Sequence, residues 1–234
     1  INVSTGIRNV LIGGLAGDSL TTGSYNVAIG YNALSTEDGN GSSVAIGSQA
    51  LETQNAGAEA YNVAIGRSAG YAVTTGTYNT IIGGLAGDAI TSGAHNVAIG
   101  YAALTTEDAH GYNTAVGNYA LQDQNAGANA YNTAVGYSSS NNITTGVKNT
   151  TVGTWALSAN ATGHKNTAIG YQALYTLAPS GSTDTHCVAV GYEAGKVVST
   201  GTDNTIVGSQ AGLAINTGAN NTCIGRAAGD ALTT

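Results

Sequence analysis

Residues 24–34 read SYNVAIGYNAL, and the five letters NVAIG at 26–30 decide the fold because related pentapeptides recur along the whole chain. Each copy ends in a glycine, which we call the motif glycine. The thirteen motif glycines are Gly13, Gly30, Gly47, Gly66, Gly83, Gly100, Gly117, Gly136, Gly153, Gly170, Gly191, Gly208 and Gly225. Nine of the twelve intervals between them are 17 residues, two are 19 and one is 21. The chain is therefore a repeat of one 17-residue unit with three short insertions.

The residues around the motif glycine keep their character from copy to copy. Asn lies four residues before it in eleven copies, and Ser43 and Cys187 replace that Asn in the other two. Val or Thr always follows this position, and Ile or Val always precedes the glycine. A longer period is superimposed, because IGGLAGD at 12–18 returns at 82–88 and STED at 35–38 returns as TTED at 105–108. We infer that a block of four units was duplicated.

The pentapeptide alternates side chains in the way that is typical of a β-strand. Its β-branched residues favour an extended backbone, and its glycine can end the strand where a positive φ or a close backbone approach excludes a Cβ. Glycines recur too often for a long helix. A strict repeat of a short strand–turn–strand unit is typical of a solenoid, in which each turn of the chain, or coil, hydrogen-bonds to the next.

We therefore predict an all-β fold, a β-solenoid of about thirteen 17-residue coils that forms a single repeat domain over residues 1–234. We expect the domain to be a fragment of a longer fibre. At a coil spacing of about 4.8 Å, the stack would span roughly 60 Å. The coils start near Asn9, Asn26, Ser43, Asn62, Asn79, Asn96, Asn113, Asn132, Asn149, Asn166, Cys187, Asn204 and Asn221.

Stacking places each residue on its own counterparts. Asn over Asn predicts a ladder in which each side-chain amide donates to the next. Val27, Ile29 and their counterparts predict a continuous apolar ridge. One coil offers few apolar side chains for a core: two β-branched residues, an Ala and often a Leu and a Tyr. Either a monomeric β-helix fills its own interior, or three chains bury one ridge each on a shared axis. We favour the homotrimer.

Composition narrows the classes of function. Gly makes up 35 of 234 residues, charged residues are 8%, and the net charge is −7 with only six Lys and Arg. Proteins that bind nucleic acids or anionic membranes usually do so through a basic face. Because this chain is acidic and has few Lys and Arg, we expect it to bind neither nucleic acid nor membrane. The sequence has no apolar run long enough to span a membrane, so we do not expect this segment to insert into one. Cys187 and Cys223 are expected to be unpaired small hydrophobic residues.

Side chains with catalytic potential are few. The adjacent acids Glu37-Asp38 and Glu107-Asp108 repeat at one place in the 70-residue block, which favours solvated turns over a catalytic pair. None of the four histidines has the spacing of a zinc motif, and His95 and His164 are expected in exposed turns. We therefore predict no catalytic residue, no metal ligand and no cofactor, and hence a protein that is not an enzyme.

Tyrosines are the best candidates for contact with a partner. One set follows the motif glycine directly, and a second set precedes the Asn. Aromatic rows on a polar surface can bind sugar faces or protein, or they can cover the coil edge or a seam between chains. The candidate receptor contacts are Tyr31, Tyr101, Tyr137, Tyr171 and Tyr192. The second set is Tyr25, Tyr61, Tyr78, Tyr112 and Tyr131.

The recurring NVAIG and NTAIG pentapeptides resemble the head repeats of YadA-like trimeric autotransporter adhesins, and TGHKNTAIGYQALY at 162–175 is similar to repeats of phage and virus tail fibres. The resemblance extends over essentially the whole chain. It implies a trimeric left-handed β-roll, located outside the cell on a virion or bacterial surface, that serves in attachment to a host glycan or protein receptor. Two alternatives stay open: a monomeric β-helix with an ice- or surface-binding face, and a tailspike-type polysaccharide hydrolase.

Overall fold

The computed structural model describes residues 3–232, and all of their regular secondary structure is β. This confirms the predicted all-β solenoid of about thirteen coils. The chain divides into two compact units, residues 1–113 and residues 114–234. Cys187 and Cys223 are buried and unpaired, as predicted.

Unit 1 is built on six three-residue strands that pair in parallel in the order of the sequence. The strands are β1 (Val10–Ile12), β2 (Val27–Ile29), β3 (Val44–Ile46), β4 (Val63–Ile65), β5 (Thr80–Ile82) and β6 (Val97–Ile99). Their register puts each residue beside its equivalent in the next coil, for example Val27 beside Val44 and Ile29 beside Ile46. Equivalent positions of the repeat therefore form continuous columns.

Unit 2 has the same arrangement with seven main strands and one short extra pair. The strands are β7 (Thr114–Val116), β8 (Thr133–Val135), β9 (Thr150–Val152), β10 (Gly163–His164), β11 (Thr167–Ile169), β12 (Thr183–Asp184), β13 (Val188–Val190), β14 (Thr205–Val207) and β15 (Thr222–Ile224). Strands β10 and β12 pair with each other, and the other seven pair in parallel in sequence order. One strand of the extra pair, β12, lies within the longest insertion, at 175–186.

The strands point their small central residue inward and their β-branched residues outward. In β2, Ala28 is fully buried whereas Val27 and Ile29 are half-buried. The predicted ridge of Val and Ile is thus present, but it lies on the outer face of the sheet. A strand turns alternate side chains to opposite faces, so with Ala28 inside, Val27 and Ile29 point away from the coil interior.

The interior is filled by the half of the coil that follows the motif glycine. After Gly30 the fully buried residues are Ala33, Leu34 and Glu37, and Glu37 lies seven residues after the motif glycine. In most other coils the last of these positions holds an apolar residue such as Leu20 or Ile90.

This second half is a series of turns and not a second strand. In every coil the residues two and four positions after the motif glycine have a positive φ near 50–70°, as does the residue one position before the Asn. Tyr25, Asn32 and Leu34 represent these three positions, with φ of 62°, 55° and 51°. Non-glycine residues in this region carry a cost of about 1–3 kcal/mol each, so contacts between coils must offset strain in every coil.

Large and small interior side chains compensate each other. Most strands have a central Ala, but β5 has the larger Ile81. The interior position four residues after the motif glycine is a glycine in the two coils that contact Ile81. These glycines are Gly70 in the preceding coil and Gly87 in the same coil. A Cβ added to Gly70 would lie 2.9 Å from Ile81 Cδ1 and 3.0 Å from Leu51 Cδ2. The extra methyl groups of Ile81 thus occupy the space that leucine fills elsewhere.

The Asn column links the coils, though not by amide-to-amide bonds alone as predicted. Asn79 Oδ1 accepts from the backbone N–H of Asn96 at 2.9 Å, and Asn79 Nδ2 donates to the backbone carbonyl of Gly93 at 2.8 Å. Amide-to-amide donation occurs as well, for example from Asn166 Nδ2 to Asn149 Oδ1 at 3.0 Å. The predicted ladder was incomplete because buried backbone groups, which must be paired, take most of the side-chain capacity.

Candidate functional site

The five candidate tyrosines are all exposed, and the structure joins three of them into one row. Their exposed fractions are 56% for Tyr31, 46% for Tyr101, 47% for Tyr137, 38% for Tyr171 and 50% for Tyr192. In unit 1, the three coils between Tyr31 and Tyr101 carry Ser48, Arg67 and Gly84 at the equivalent position. In unit 2 the other three belong to a continuous series of ring contacts.

We call this series the mixed aromatic row; it consists of Tyr119, Tyr137, Trp155, Tyr171 and Tyr192. Tyr137 and Trp155 meet edge to face at 6.1 Å between ring centroids, and Trp155 and Tyr171 follow at 5.7 Å. Tyr171 and Tyr192 stack at 5.5 Å. Edge-to-face contacts leave more ring face uncovered than stacking does, so this row can offer aromatic faces to a ligand.

Sequence reasoning missed Tyr119 and Trp155 as members of the row. Both lie two residues after a motif glycine, whereas the predicted tyrosines lie one residue after it. The ring contacts show that both positions present side chains to the same surface, and the second position adopts a left-handed turn, with φ of 60° at Tyr119 and 55° at Trp155. An alignment of the coils that compared both positions together would have shown an aromatic residue in five successive coils.

A second series, the stacked row, lies in unit 1 and consists of Tyr61, Tyr78, His95 and Tyr112. Successive ring centroids are 5.0–5.4 Å apart, with interplanar angles of 5–16°. An inner ring such as Tyr78 has a neighbour on each face, so mainly its edge remains for a partner. This row supports the alternative that aromatic residues cover the coil edge, since stacking itself stabilises the coils by about 0.5–1.5 kcal/mol per pair.

In unit 2, charged residues occupy much of the column that is aromatic in unit 1. Lys165 donates to Asp184, and this hydrogen bond holds the pKa of Asp184 below its usual value. His186 Nδ1 lies 3.5 Å from Asp203 Oδ1. All four side chains are substantially exposed, and exposed pairs of this kind contribute little to stability.

The acidic turns differ from the expectation. Asp38 and Asp108 are exposed as predicted, but Glu37 and Glu107 are fully buried, so the prediction of a solvated turn was wrong for both glutamates. The reason is their position, seven residues after a motif glycine, where most other coils place an inward-facing Leu, Val or Ile. Burial raises the pKa of Glu107 because it penalises the carboxylate form.

The two histidines that were predicted to lie in exposed turns differ in the structure. His95 is exposed in a turn, as predicted, whereas His164 lies in β10 and is half-buried, so the exposed-turn prediction was wrong there. His164 Nδ1 accepts from the backbone N–H of Val147 at 3.0 Å, and burial lowers the pKa of His164. The insertion at 175–186 supplies Ser182, whose Oγ lies 2.6 Å from His164 Nε2 and draws the ring into the extra strand pair.

The part of the chain that the structure describes has no enclosed pocket, and it contains no helix long and apolar enough to cross a membrane. Within residues 3–232, one group of three side chains has the geometry to hold a metal ion: Glu107, Asp108 and His110.

Comparison of the chain with protein-family models, with curated proteins and with solved structures found no match.

Proposed function

We propose that this chain is a structural segment of a trimeric attachment fibre, exposed on a virion or bacterial surface, that contacts a host glycan or protein receptor through the mixed aromatic row. The observation that carries the proposal is the outer face of the β-sheet. In unit 1 this face presents one column of Val with a single Thr80, and one column of Ile, without interruption from β1 to β6.

The outer face suits contact with copies of the same chain. The columns contain no charged side chain, although the whole chain carries a net charge of −7. Two copies can therefore approach through this face without like charges meeting in the contact. Val44 and Ile46 are half-buried in the single chain, and a symmetric oligomer would remove their remaining apolar surface from water.

We expect the full chain in solution to have three times the 23.1 kDa mass of one chain when measured by sedimentation equilibrium or native mass spectrometry. Ile46→Lys should lower the mass to that of a monomer, because it would bury an unpaired ammonium at each contact. Thr22→Lys, on an exposed turn, is the control and should keep the trimer. A monomeric wild-type chain would overturn the proposal and favour the monomeric β-helix.

The mixed aromatic row suits a glycan because sugars present flat apolar faces that pack on aromatic rings. Its rings extend over five successive coils of unit 2, so it could contact several sugar units of one chain. A protein receptor is the other outcome, since Tyr and Trp are also enriched in protein interfaces.

Replacing Tyr137, Trp155 and Tyr171 together by Ala is expected to weaken binding to host cells and to a glycan array at least tenfold, while the oligomer mass stays unchanged. The matched control replaces Tyr61 and Tyr78 by Ala in the stacked row, which should lower stability without affecting binding. If the triple variant loses its oligomeric state instead, the row is a seam between chains and not a receptor contact. Loss of cell binding without any glycan signal would identify a protein receptor.

A monomer with an ice- or surface-binding face is the second candidate, and one observation favours it. In unit 2 the first outward strand position is Thr in six of the seven main strands, from Thr114 to Thr222, in register at the spacing of a β-sheet. A monomeric mass together with thermal hysteresis of its solutions would select this function. The polysaccharide hydrolase is less favoured, because its two carboxyl groups must face a substrate whereas Glu37 and Glu107 are buried.

A further inference from the structure

The turn at 107–110 in unit 1 contains a buried acid whose surroundings differ from those of its duplicate. Glu107 lies 70 residues after Glu37, and both side chains have no exposed surface. The two turns read EDGN at 37–40 and EDAH at 107–110, so His110 takes the place of Asn40. The first turn therefore serves as an internal reference for the second.

The Glu37 carboxylate is fully paired. Its Oε1 accepts from the backbone N–H and from the side-chain Nδ2 of Asn40, both at 3.2 Å. Its Oε2 accepts from Gln54 Nε2 at 3.0 Å and from the backbone N–H of Ala56 at 3.5 Å. A buried carboxylate with this many donors is compensated by hydrogen bonds alone.

The Glu107 carboxylate is not compensated in this way. Its Oε1 accepts from the backbone N–H of His110 at 3.2 Å, but no donor within residues 3–232 reaches its Oε2. The buried Nδ1 of His110 likewise has no hydrogen-bond partner within those residues, although it lies 3.4 Å from Glu107 Oε1. Asp108 Oδ1 is 4.0 Å from the same Nδ1. Three groups that carry lone pairs, two carboxylates and one imidazole, thus surround one small region.

We propose that Glu107, Asp108 and His110 bind a divalent transition-metal ion of the zinc class. Carboxylate oxygens and an imidazole nitrogen are ligands that zinc prefers, at about 2.0–2.2 Å from the ion. Around a tetrahedral ion at these distances, two ligand atoms are about 3.3–3.6 Å apart. The ligand atoms lie within 4.8 Å of one another. The 53% exposed Asp108 side chain would close the remaining gap by turning away from the backbone N–H of Ala109, from which its Oδ1 accepts at 2.6 Å. Water completes the coordination on the solvent side.

The rival explanation is a protonated His110 that forms an ion pair with Glu107 and binds no metal. The ion pair would place a proton on Nδ1 but would leave Glu107 Oε2 unpaired, whereas a metal ion could be held by both oxygens. The two explanations differ in whether the site takes up zinc at a pH where imidazole is neutral.

The test is titration of the full wild-type chain with zinc chloride by isothermal calorimetry at pH 7.5, in a buffer that does not bind metal. We expect saturation at one ion per chain. His110→Asn should weaken zinc binding at least tenfold, and it should fold because it reproduces the turn that contains Asn40. His186→Asn removes an exposed imidazole beside Asp203 and should leave zinc binding unchanged.

Thermal unfolding supplies an independent readout. Zinc should raise the melting temperature of the wild-type chain and of Glu37→Gln, but not that of His110→Asn. The proposal is overturned if zinc does not bind saturably, if His110→Asn binds it as well as the wild type, or if the binding disappears in His186→Asn. None of these results depends on the oligomeric state or on a receptor, so they leave the proposed attachment function untouched.

Discussion

Replacing Gly30 by Ala is expected to destabilise the protein by more than about 4 kcal/mol, which is a large fraction of the about 5–15 kcal/mol that stabilises a typical native protein. Gly30 has a φ of +134°, which L-residues rarely adopt. A Cβ there would lie 2.5 Å from the carbonyl oxygen of Gly47 and 2.6 Å from its carbonyl carbon. The clash is with the backbone of the next coil, so no side-chain rotation can relieve it. Urea unfolding followed by far-UV circular dichroism measures the loss.

Gly57→Ala is the matched control for this prediction. Gly57 also has a positive φ, of +69°, but a Cβ there meets no atom within 4 Å. Its replacement should cost about 1 kcal/mol, from backbone strain alone. If the two variants are equally stable, the close approach of neighbouring coils at the motif glycine is not what demands glycine.

Replacing Asn79 by Ala should reduce the free energy of unfolding by about 2–5 kcal/mol. The change leaves two buried backbone groups without their partners, the N–H of Asn96 and the carbonyl of Gly93, and each unpaired group costs about 1–3 kcal/mol. Hydrogen exchange gives a local readout, because the Asn96 amide should lose its protection along with the global stability. Denaturant unfolding gives the global value.

Two further variants separate the contributions of the Asn79 side chain. At the equivalent position, Cys187 Sγ approaches the carbonyl of Gly201 at 3.4 Å, so Asn79→Cys should keep a weak donor to Gly93 and fall between the wild type and Asn79→Ala. Asn142→Ala, at an exposed position, should change stability by less than about 0.5 kcal/mol. An Asn79→Ala variant as stable as Asn142→Ala would contradict a structural role of the Asn column.

The strands and their register could be read from the sequence because one glycine marks every coil. Once the motif glycines are aligned, Val27 must lie beside Val44, and the structure places it there. The orientation of the strands was not readable in the same way. In NVAIG two larger residues flank a small one, and larger apolar residues are usually the ones found in a protein core. Here the Ala is inside, and the leucines after the turn complete the core.

The burial of Glu37 and Glu107 was missed for a related physical reason. A charged residue in a Thr-Glu-Asp sequence is typical of a solvated turn, and its local sequence gives no sign of burial. The sign lies in the column: Leu20, Val73 and Ile90 occupy the same distance from their motif glycines. The aromatic row was likewise half predicted, since Tyr137 and Tyr171 were identified but Trp155 between them was assigned to no set.

The compensation between Ile81 and the glycines beside it limits how unit 1 can change in length. Removing residues 67–83 would delete Ile81 but keep a glycine opposite Ala64, and the missing methyl groups would leave a void in the core. Removing residues 14–83 would instead place Leu11 above Gly87, much as Leu11 now lies above Gly17. Removal of the single coil at 67–83 thus requires repacking of the core, whereas removal of the 70-residue block keeps a large residue paired with a glycine.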